Sequence, residues 1–256
     1  WLAGPTGVAI DSRGDIIVGA AGTDTILRIE KDDDLVNYPT GYKDTVTVIA
    51  DYYTEDDVDG WDGYVYTPMD IAIDSRDDII VADKGSWAVY RIMKTDDLVN
   101  YPTGYKDTVS IIGDYNTRDD ADTGDRWLAG PTGVAIDSRG DIIVTSDQSN
   151  AILRIVKDDT FLTGYKDTVS VIADYSSTGG LIDKPQDIGI DSYGLLVVND
   201  KGSDAVFKVD PVTGDTRVIA TEASTDGIIV EPHGLAIGSV FVGNIGPTRF
   251  DGSIVE

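Results

Sequence analysis

The residues of this sequence that could do chemistry are a single histidine and two acidic loops. His233 stands in Glu231-Pro232-His233-Gly234 and is the one imidazole in 256 residues. A lone histidine acts as a general base or a metal ligand only with a partner group, and Glu231 is the carboxylate beside it in sequence. The alternative is a hydrogen-bonded histidine that lines a channel. With no cysteine and no second histidine, the sequence excludes disulfides, thiolate zinc sites and multi-histidine metal sites.

Two loops combine aspartate with glycine, as calcium loops do to let hard oxygen ligands converge on one cation. Neither loop has the distal bidentate glutamate at full spacing, so the alternative is a solvated acidic loop. The candidate Ca²⁺ ligands are Asp57, Asp59 and Asp62 in the first loop and Asp120, Asp122 and Asp125 in the second. The sequence indicates no other cofactor.

The charge balance restricts the partners. Twenty basic residues stand against 46 acidic ones, for a formal net charge of −26. Nucleic acids and anionic membranes need a basic surface, so both are excluded as partners. No apolar run is long enough to insert into a membrane. A charge of this size repels itself and favours counter-ions or bound cations.

These residues belong to a chain that repeats one stretch. Pro5–Val18 (PTGVAIDSRGDIIV) returns unchanged at Pro131–Val144 and in altered form from Pro68, Pro185 and Pro232. The pattern of each copy indicates a short apolar strand, a tight polar turn and a second apolar strand. Two further strands are predicted in each of the first four units and one in the fifth. Tandem four-stranded units of this length predict an all-β propeller of about five blades.

The predicted blades form a single domain. Their approximate boundaries are 1–64, 65–126, 127–181, 182–228 and 229–256. The fifth blade is incomplete within the chain, since it lacks an outer strand. Three explanations stay open: the blade has three strands, a segment outside these 256 residues supplies the strand, or a neighbouring subunit donates it.

Two of the units resemble NHL-type β-propeller repeats and the related YVTN and lyase-like propellers. The resemblance is carried by Pro68 with Ile71–Asp74 and Ile79–Ser86, and by Pro185 with Ile188–Asp191 and Val197–Ser203. It covers essentially the whole chain and implies a propeller fold, while propellers host enzymes, lectins and scaffolds alike. Some lyase-like and metal-dependent propellers carry Pro-His-Gly where His233 stands, and there the histidine is a base or a ligand.

An insert recurs between the last two strands of three units. It runs from Leu35 to Asp44, from Leu98 to Asp107 and, shortened, from Leu162 to Asp167. We predict hairpin loops that turn at Gly41, Gly104 and Gly164. The tyrosines of these inserts either cover the outer strands of their own blades or form an aromatic face for a carbohydrate or a protein. They are Tyr38, Tyr42, Tyr101, Tyr105 and Tyr165.

Near-identical blades favour a structural or multivalent role over catalysis, since an active site needs different residues from different blades. The sequence therefore favours a non-enzymatic propeller scaffold, extracellular or on the cell surface. Its predicted partner is a protein, including itself in a homopolymer such as a filament or surface layer with a strand donated between subunits. The alternative is a lyase- or lactonase-like propeller enzyme that uses His233 with channel carboxylates, with or without a metal.

Overall fold

The structure is a computed structural model. It describes residues 3–54, 65–115, 117–119, 128–225, 229, 231–236 and 241–244. Within these ranges the regular elements are β-strands and one short 3-10 helix, η1 (Ala223–Thr225). In the same ranges, no helix has the length and apolar character needed to cross a membrane.

The strands group into five sheets that follow the chain, here called blades. Blade one contains β1 (Pro5–Ile10), β2 (Ile16–Ala20), β3 (Thr25–Lys31) and β4 (Tyr42–Asp51). Blade two contains β5 (Pro68–Ile73), β6 (Ile79–Asp83), β7 (Ala88–Ile92) and β8 (Ser110–Asp114). Blade three contains β9 (Arg118–Asp119), β10 (Pro131–Ile136), β11 (Ile142–Ser146), β12 (Ala151–Lys157) and β13 (Tyr165–Asp174). Blade four contains β14 (Pro185–Ile190), β15 (Leu196–Asp200), β16 (Ala205–Val209) and β17 (Thr216–Thr221), and blade five contains β18 (Pro232–Ala236) and β19 (Phe241–Asn244).

Apart from β9, consecutive strands of each blade pair antiparallel and are joined by turns or hairpin loops. In blade one the side chain of Asp11 holds the first turn by accepting hydrogen bonds from the backbone N–H groups of Arg13 and Asp15, both at 2.9 Å. Gly14 takes a φ of +84°, which a glycine adopts without a steric cost. The sequence did not predict β9, which adds a parallel strand to the outer edge of β13.

The strand that begins at the repeated proline of each blade is here called its first strand, which is β10 in blade three. These five first strands lie side by side in chain order: β1 contacts β5, β5 contacts β10, β10 contacts β14, and β14 contacts β18. One face of each blade packs on the opposite face of the next and forms a separate apolar cluster there. Ile17 and Ile26 of blade one, for example, pack with Val81 and Tyr90 of blade two. The same arrangement recurs between the later blades. This architecture confirms the predicted β-propeller of about five blades.

Candidate functional site

His233 lies at the start of blade five, where β18 has an irregular register between Pro232 and Gly234. Its side chain is half-buried. Burial lowers the pKa of His233, and the nearby cations of Lys201 and Lys84 lower it further, while Glu231 opposes them. The imidazole is therefore neutral at pH 7. Glu231 itself is exposed and forms an ion pair with Lys201 at 3.5 Å.

The equivalent residues of the other blades show what this position does. Every first strand has the same register shift after its proline, and a shift of this kind re-aims the side chain at that point. The hydroxyl of Thr6 donates to the carbonyl of Pro68 at 2.5 Å, and that of Thr132 donates to the carbonyl of Pro185 at 2.8 Å. The two threonines at this position therefore connect one blade to the next, whereas the amide of Gln186 donates to the carbonyls of Lys184 and Pro185 in its own blade.

The predicted calcium ligands lie outside the described residues, because Asp57, Asp59 and Asp62 fall in 55–64 and the second loop falls in 120–127. Calcium binding by Asp120, Asp122 and Asp125 therefore stays a prediction, like that of the first loop. Across the ranges that the structure describes, no three histidine or acidic side chains come together as metal ligands. His233 belongs to no such group there.

A pair of carboxylates that the sequence analysis did not single out lies on the first strands. Asp70 of blade two accepts hydrogen bonds from the N–H groups of Ile71 and Val134, both at 2.8 Å. Asp187 of blade four accepts from Ile188 and Leu235, both at 2.7 Å. Burial raises the pKa of Asp187 to about 6. Burial also raises the pKa of Asp70 well above its usual range, and the charge of Asp187 adds to that effect.

The two carboxylates follow from an alternation in the repeat. The corresponding position is Gly7 in blade one, Gly133 in blade three and Gly234 in blade five. A Cβ on Gly133 would lie 2.8 Å from the Cα of Asp187, so the glycine allows the neighbouring strand to come close. The aspartates of blades two and four in turn reach the backbone of the blade that follows them, at Val134 and Leu235. The sequence shows this arrangement as glycine alternating with aspartate.

Two of the five insert tyrosines, Tyr105 and Tyr165, contact the preceding blade, which neither sequence interpretation predicted. The hydroxyl of Tyr105 in blade two donates to Asp11 of blade one at 2.9 Å, and the ring lies 5.4 Å from the guanidinium of Arg13. The hydroxyl of Tyr165 in blade three donates to Asp74 of blade two at 3.3 Å. Burial, followed by the charge of Asp74, raises the pKa of Tyr165 to about 12. Both rings are buried and form no exposed aromatic face.

A buried arginine completes each contact between an insert and the preceding blade. Arg28 bonds Asp15 at 2.7 Å and donates to the carbonyl of Thr103 at 2.8 Å. Arg91 repeats this arrangement one blade later with Asp78 and the carbonyl of Thr163. We call each set of tyrosine, insert carbonyl, aspartates and arginine an inter-blade clasp. The clasp gives the turn Asp-Ser-Arg-x-Asp a role in blades one and two, each of which is followed by a blade with an insert.

The tips of the loops between the third and fourth strands carry exposed aliphatic side chains. Val36, Val99, Leu162 and Val212 of blades one to four are between 81% and 91% exposed. Because strands alternate in direction, these loops lie at the same end of every blade, opposite to the end that holds His233. Gly41, Gly104 and Gly164 all have a φ of +77°, as the predicted hairpin turns require.

Comparisons with known proteins support the fold and leave the activity open. The sequence matches no protein-family profile, and no curated protein sequence matches it. The structure is similar to virginiamycin B lyase from Staphylococcus aureus, with a TM-score of 0.58 and 16% identity over 94% of this chain and 64% of that chain. It is also similar to a putative gluconolactonase, with a TM-score of 0.59 and 17% identity over 93% of this chain and 70% of that one.

A third similar structure comes from the nidogen/laminin complex, with a TM-score of 0.60 and 14% identity over 94% of this chain and 72% of that one. Identities this low show a shared fold alone. This chain spans less than two thirds of the length of the staphylococcal lyase. The comparisons support a β-propeller and do not single out the NHL type.

Proposed function

We propose that this chain is a non-enzymatic propeller scaffold that binds a protein partner through the loop tips of successive blades. The observation that carries the proposal is the repeated exposure of Val36, Val99, Leu162 and Val212 at one end of the molecule. One exposed aliphatic side chain is ordinary on a protein surface, so the argument depends on its repetition at the same end of four blades. Several weak contacts on one body also raise the overall affinity without any new contact type.

Local hydrogen bonds order these tips before any partner binds. The side chain of Asp34 accepts from the N–H of Val36 at 3.1 Å and from the side chain of Asn37 at 2.6 Å. Asp97 and Asn100 repeat the side-chain pair in blade two at 2.7 Å. A loop that is already ordered loses little conformational entropy on binding, which favours affinity.

The partner is a protein with an apolar surface and basic residues around it, because the net charge of this chain is −26. A second copy of the chain would meet the same negative charge, so self-assembly requires salt or cations. One of the similar folds belongs to the nidogen/laminin complex, which supports protein binding as a use of this architecture. A location outside the cell stays a prediction from the sequence.

The test compares four immobilised proteins: the wild type, a tip variant, a control variant and His233→Ala. The tip variant changes Val36, Val99, Leu162 and Val212 to Ser. The control changes Val218 and Ile219 to Ser, which are exposed on the outer strand of blade four. Proteins from the producing cells and their medium are passed over each. We expect the wild type, the control variant and His233→Ala to retain a partner protein and the tip variant to retain none. Equal retention by the tip variant, or none by the wild type, contradicts the proposal. Sedimentation velocity then distinguishes a second copy from another partner.

The second candidate function is a lyase- or lactonase-like enzyme, and the observation that favours it is the neutral, half-buried His233. A histidine-to-alanine variant of the similar staphylococcal lyase is catalytically inactive and was solved with quinupristin. Turnover of quinupristin or of a sugar lactone by the wild type, with loss of turnover in His233→Ala, would establish this function. Binding by the loop tips and catalysis at His233 are measured separately, since they lie at opposite ends of the blades.

A further inference from the structure

The turn Asp-Ser-Arg-x-Asp occurs in three blades, and two of these copies receive a tyrosine. In blades one and two the turn begins at Asp11 and Asp74, and each carboxylate accepts the hydroxyl of a tyrosine from the following blade. The third copy begins at Asp137 in blade three and has the same internal hydrogen bonds. Asp137 accepts from the N–H of Arg139 at 2.8 Å and from that of Asp141 at 3.0 Å. We call the side chains of Asp137, Arg139 and Asp141 the open turn.

Blade four does not supply a tyrosine to the open turn. The inserts of blades two and three contain Thr-Gly-Tyr-Lys-Asp, whereas blade four has Thr-Gly-Asp at 213–215. In blade two, Gly104 lies so close to the preceding turn that a Cβ on it would come within 2.3 Å of the guanidinium of Arg13. A Cβ on Gly214 would meet the carbonyl of Ile172 instead. The loop of blade four therefore lies on another part of blade three.

The side chains of the open turn are accessible for this reason. Arg139 is 57% exposed, compared with 31% for Arg13 and 33% for Arg76. The rings of the two clasp tyrosines lie 5.4 and 5.7 Å from the latter two guanidinium groups and cover them. The side chain of Asp137 is 13% exposed, whereas the aspartates of the first two turns are 0% and 4% exposed. The open turn thus presents a carboxylate acceptor beside a cation.

The arginine behind the open turn is also less well paired than its equivalents. Arg28 and Arg91 donate from Nε to their aspartates at 2.7 and 2.8 Å. The buried Nε of Arg154 lies 3.7 Å from Asp141 and has no hydrogen-bond partner in the described part of the chain. Beyond its own turn, the charged group that Asp137 meets in these ranges is Arg154, at 4.0 Å. The carboxylate of Asp137 therefore has the capacity to accept another donor.

A phenol has the chemistry that this arrangement requires. Its hydroxyl donates to a carboxylate, and the face of its ring attracts a guanidinium. An aliphatic side chain would cover Asp137 without a hydrogen bond, and a carboxylate would be repelled by it. The same chain binds a phenol with the same groups twice, at Asp11 with Arg13 and at Asp74 with Arg76. These two clasps are the template for the third turn.

We propose that the open turn of blade three binds a tyrosine side chain of a partner protein, with the hydroxyl donating to Asp137 and the ring lying against Arg139. The inference deepens the proposed function, on which it rests for the existence of a protein partner. The open turn lies at the same end of the blades as the loop tips, because the loop after a first strand and the loop after a third strand share that end. A partner that contacts the tips can therefore also reach the turn.

The probe is a head-to-tail cyclic peptide of residues 93–106, which is the insert that carries Tyr105 in blade two. Its ends already meet there, since the N–H of Lys106 donates to the carbonyl of Met93 at 2.9 Å. Isothermal titration calorimetry measures its binding to the full chain. We expect one site per chain with a Kd of about 1 mM or lower. The same peptide with Tyr105→Phe should bind at least about tenfold more weakly, because it lacks the hydrogen bond to a charged group.

Two protein variants test where the peptide binds. Asp137→Asn keeps the oxygen that holds the turn, and Arg139→Ala removes the guanidinium, so we expect each to weaken binding at least about fivefold. Asp215→Asn is the control, because Asp215 is exposed in the neighbouring loop and the substitution changes the net charge as Asp137→Asn does. No binding by the wild type, equal binding of the two peptides, or unchanged binding in both Asp137→Asn and Arg139→Ala would overturn the proposal.

The peptide separates this inference from the proposed function. The tip variant should bind the peptide as the wild type does, since the open turn does not include the four tip residues. A wild type that binds the peptide at Asp137 but retains no protein supports the open turn and contradicts the proposed function alone. Sedimentation velocity completes the test. Self-association of the wild type that Arg139→Ala abolishes would assign the open turn to a second copy of this chain and would overturn the assignment to a partner.

Discussion

The hydroxyl of Tyr105 donates a 2.9 Å hydrogen bond to the carboxylate of Asp11, 94 residues earlier and one blade away. The carboxylate of Asp11 also accepts from the N–H groups of its own turn, so one side chain holds both the turn and the neighbouring blade. The cohesion between blades in this chain therefore comes from polar contacts at the turns as well as from apolar faces.

Removal of the Tyr105 hydroxyl should destabilise the folded protein. We expect Tyr105→Phe to lower the free energy of unfolding by about 1.5–3 kcal/mol, since the lost hydrogen bond goes to a charged group. Tyr42→Phe is the matched control, because Tyr42 occupies the same place in blade one without this bond; it should change stability by less than about 0.5 kcal/mol. Urea denaturation followed by tryptophan fluorescence measures both. If both substitutions lower the free energy of unfolding equally, the hydrogen bond between Tyr105 and Asp11 does not stabilise the protein.

The glycines of the first strands offer a second comparison. A Cβ on Gly133 would lie 2.7 Å from the hydroxyl oxygen of Thr145 and 2.8 Å from the Cα of Asp187. A Cβ on Gly234 would meet nothing within 4 Å in the described part of the chain. We expect Gly133→Ala to destabilise the chain by about 1–3 kcal/mol through overpacking. Gly234→Ala should be nearly neutral. Thermal melting of the two variants tests this, and similar midpoints would contradict the close approach of the blades.

Much of the fold could be predicted from the sequence because it depends on local, repeated signals. The strand that begins at Pro5 and the turn at Asp11 need only neighbours in the chain, and both recur at Pro131. The turning glycines of the inserts were likewise predicted from their position. Repetition at a fixed spacing then indicated the radial arrangement of blades.

The contacts between blades could not be predicted in the same way. The sequence predicts that Tyr105 covers its own blade or belongs to an aromatic face for a carbohydrate or a protein, yet it reaches Asp11 because the preceding blade is stacked beside it. The meeting of Asp70 with the backbone of Val134 depends on the same stacking, across 64 residues. Periodicity within a strand carries no information about which blade a side chain will contact.

The carboxylates of Asp70 and Asp187 predict how stability depends on pH. The folded state raises the pKa of both, that of Asp187 to about 6, whereas unfolded aspartate titrates near 4. The folded state therefore holds more protons between these values, and its stability falls as the pH rises from about 4 through about 6. We expect a lower melting temperature at pH 7.5 than at pH 5.

Asp70→Asn should reduce this dependence, because it removes one of the buried carboxylates that ionise as the pH rises. Burial also raises the pKa of Asp83 to about 7 and that of Asp200 to about 6, so part of the dependence remains. Asp44→Asn is the control, since Asp44 is exposed and the substitution changes the net charge by the same amount. Melting curves between pH 4.5 and 8 compare the three proteins. If the melting temperatures of Asp70→Asn and Asp44→Asn change with pH as steeply as that of the wild type, Asp70 and Asp187 do not cause the pH dependence of stability.

The buried arginines of blades two and three differ in how well they are paired. Arg91 donates to Asp78 through two nitrogens, at 2.8 and 2.6 Å, and to the carbonyl of Thr163 at 2.6 Å. Arg154 bonds the carbonyl of Pro211, but its Nε lies 3.7 Å from Asp141 and has no hydrogen-bond partner in the described part of the chain. The insert that would complete a clasp on Arg154 is replaced in blade four by a shorter loop.

Substitution of the two arginines should therefore have unequal effects. We expect Arg91→Met to lower the free energy of unfolding by about 2–3 kcal/mol, because it removes the closest charged donor to Asp78 and leaves Arg76, at 3.4 Å, as the remaining cation beside that carboxylate. Arg154→Met removes the hydrogen bond to the carbonyl of Pro211 and the longer ion pair with Asp141. It should therefore lower the free energy of unfolding by about 1 kcal/mol. Urea denaturation at pH 7 measures the difference. A larger loss for Arg154→Met would show that the arginine between blades three and four is held by contacts other than these hydrogen bonds.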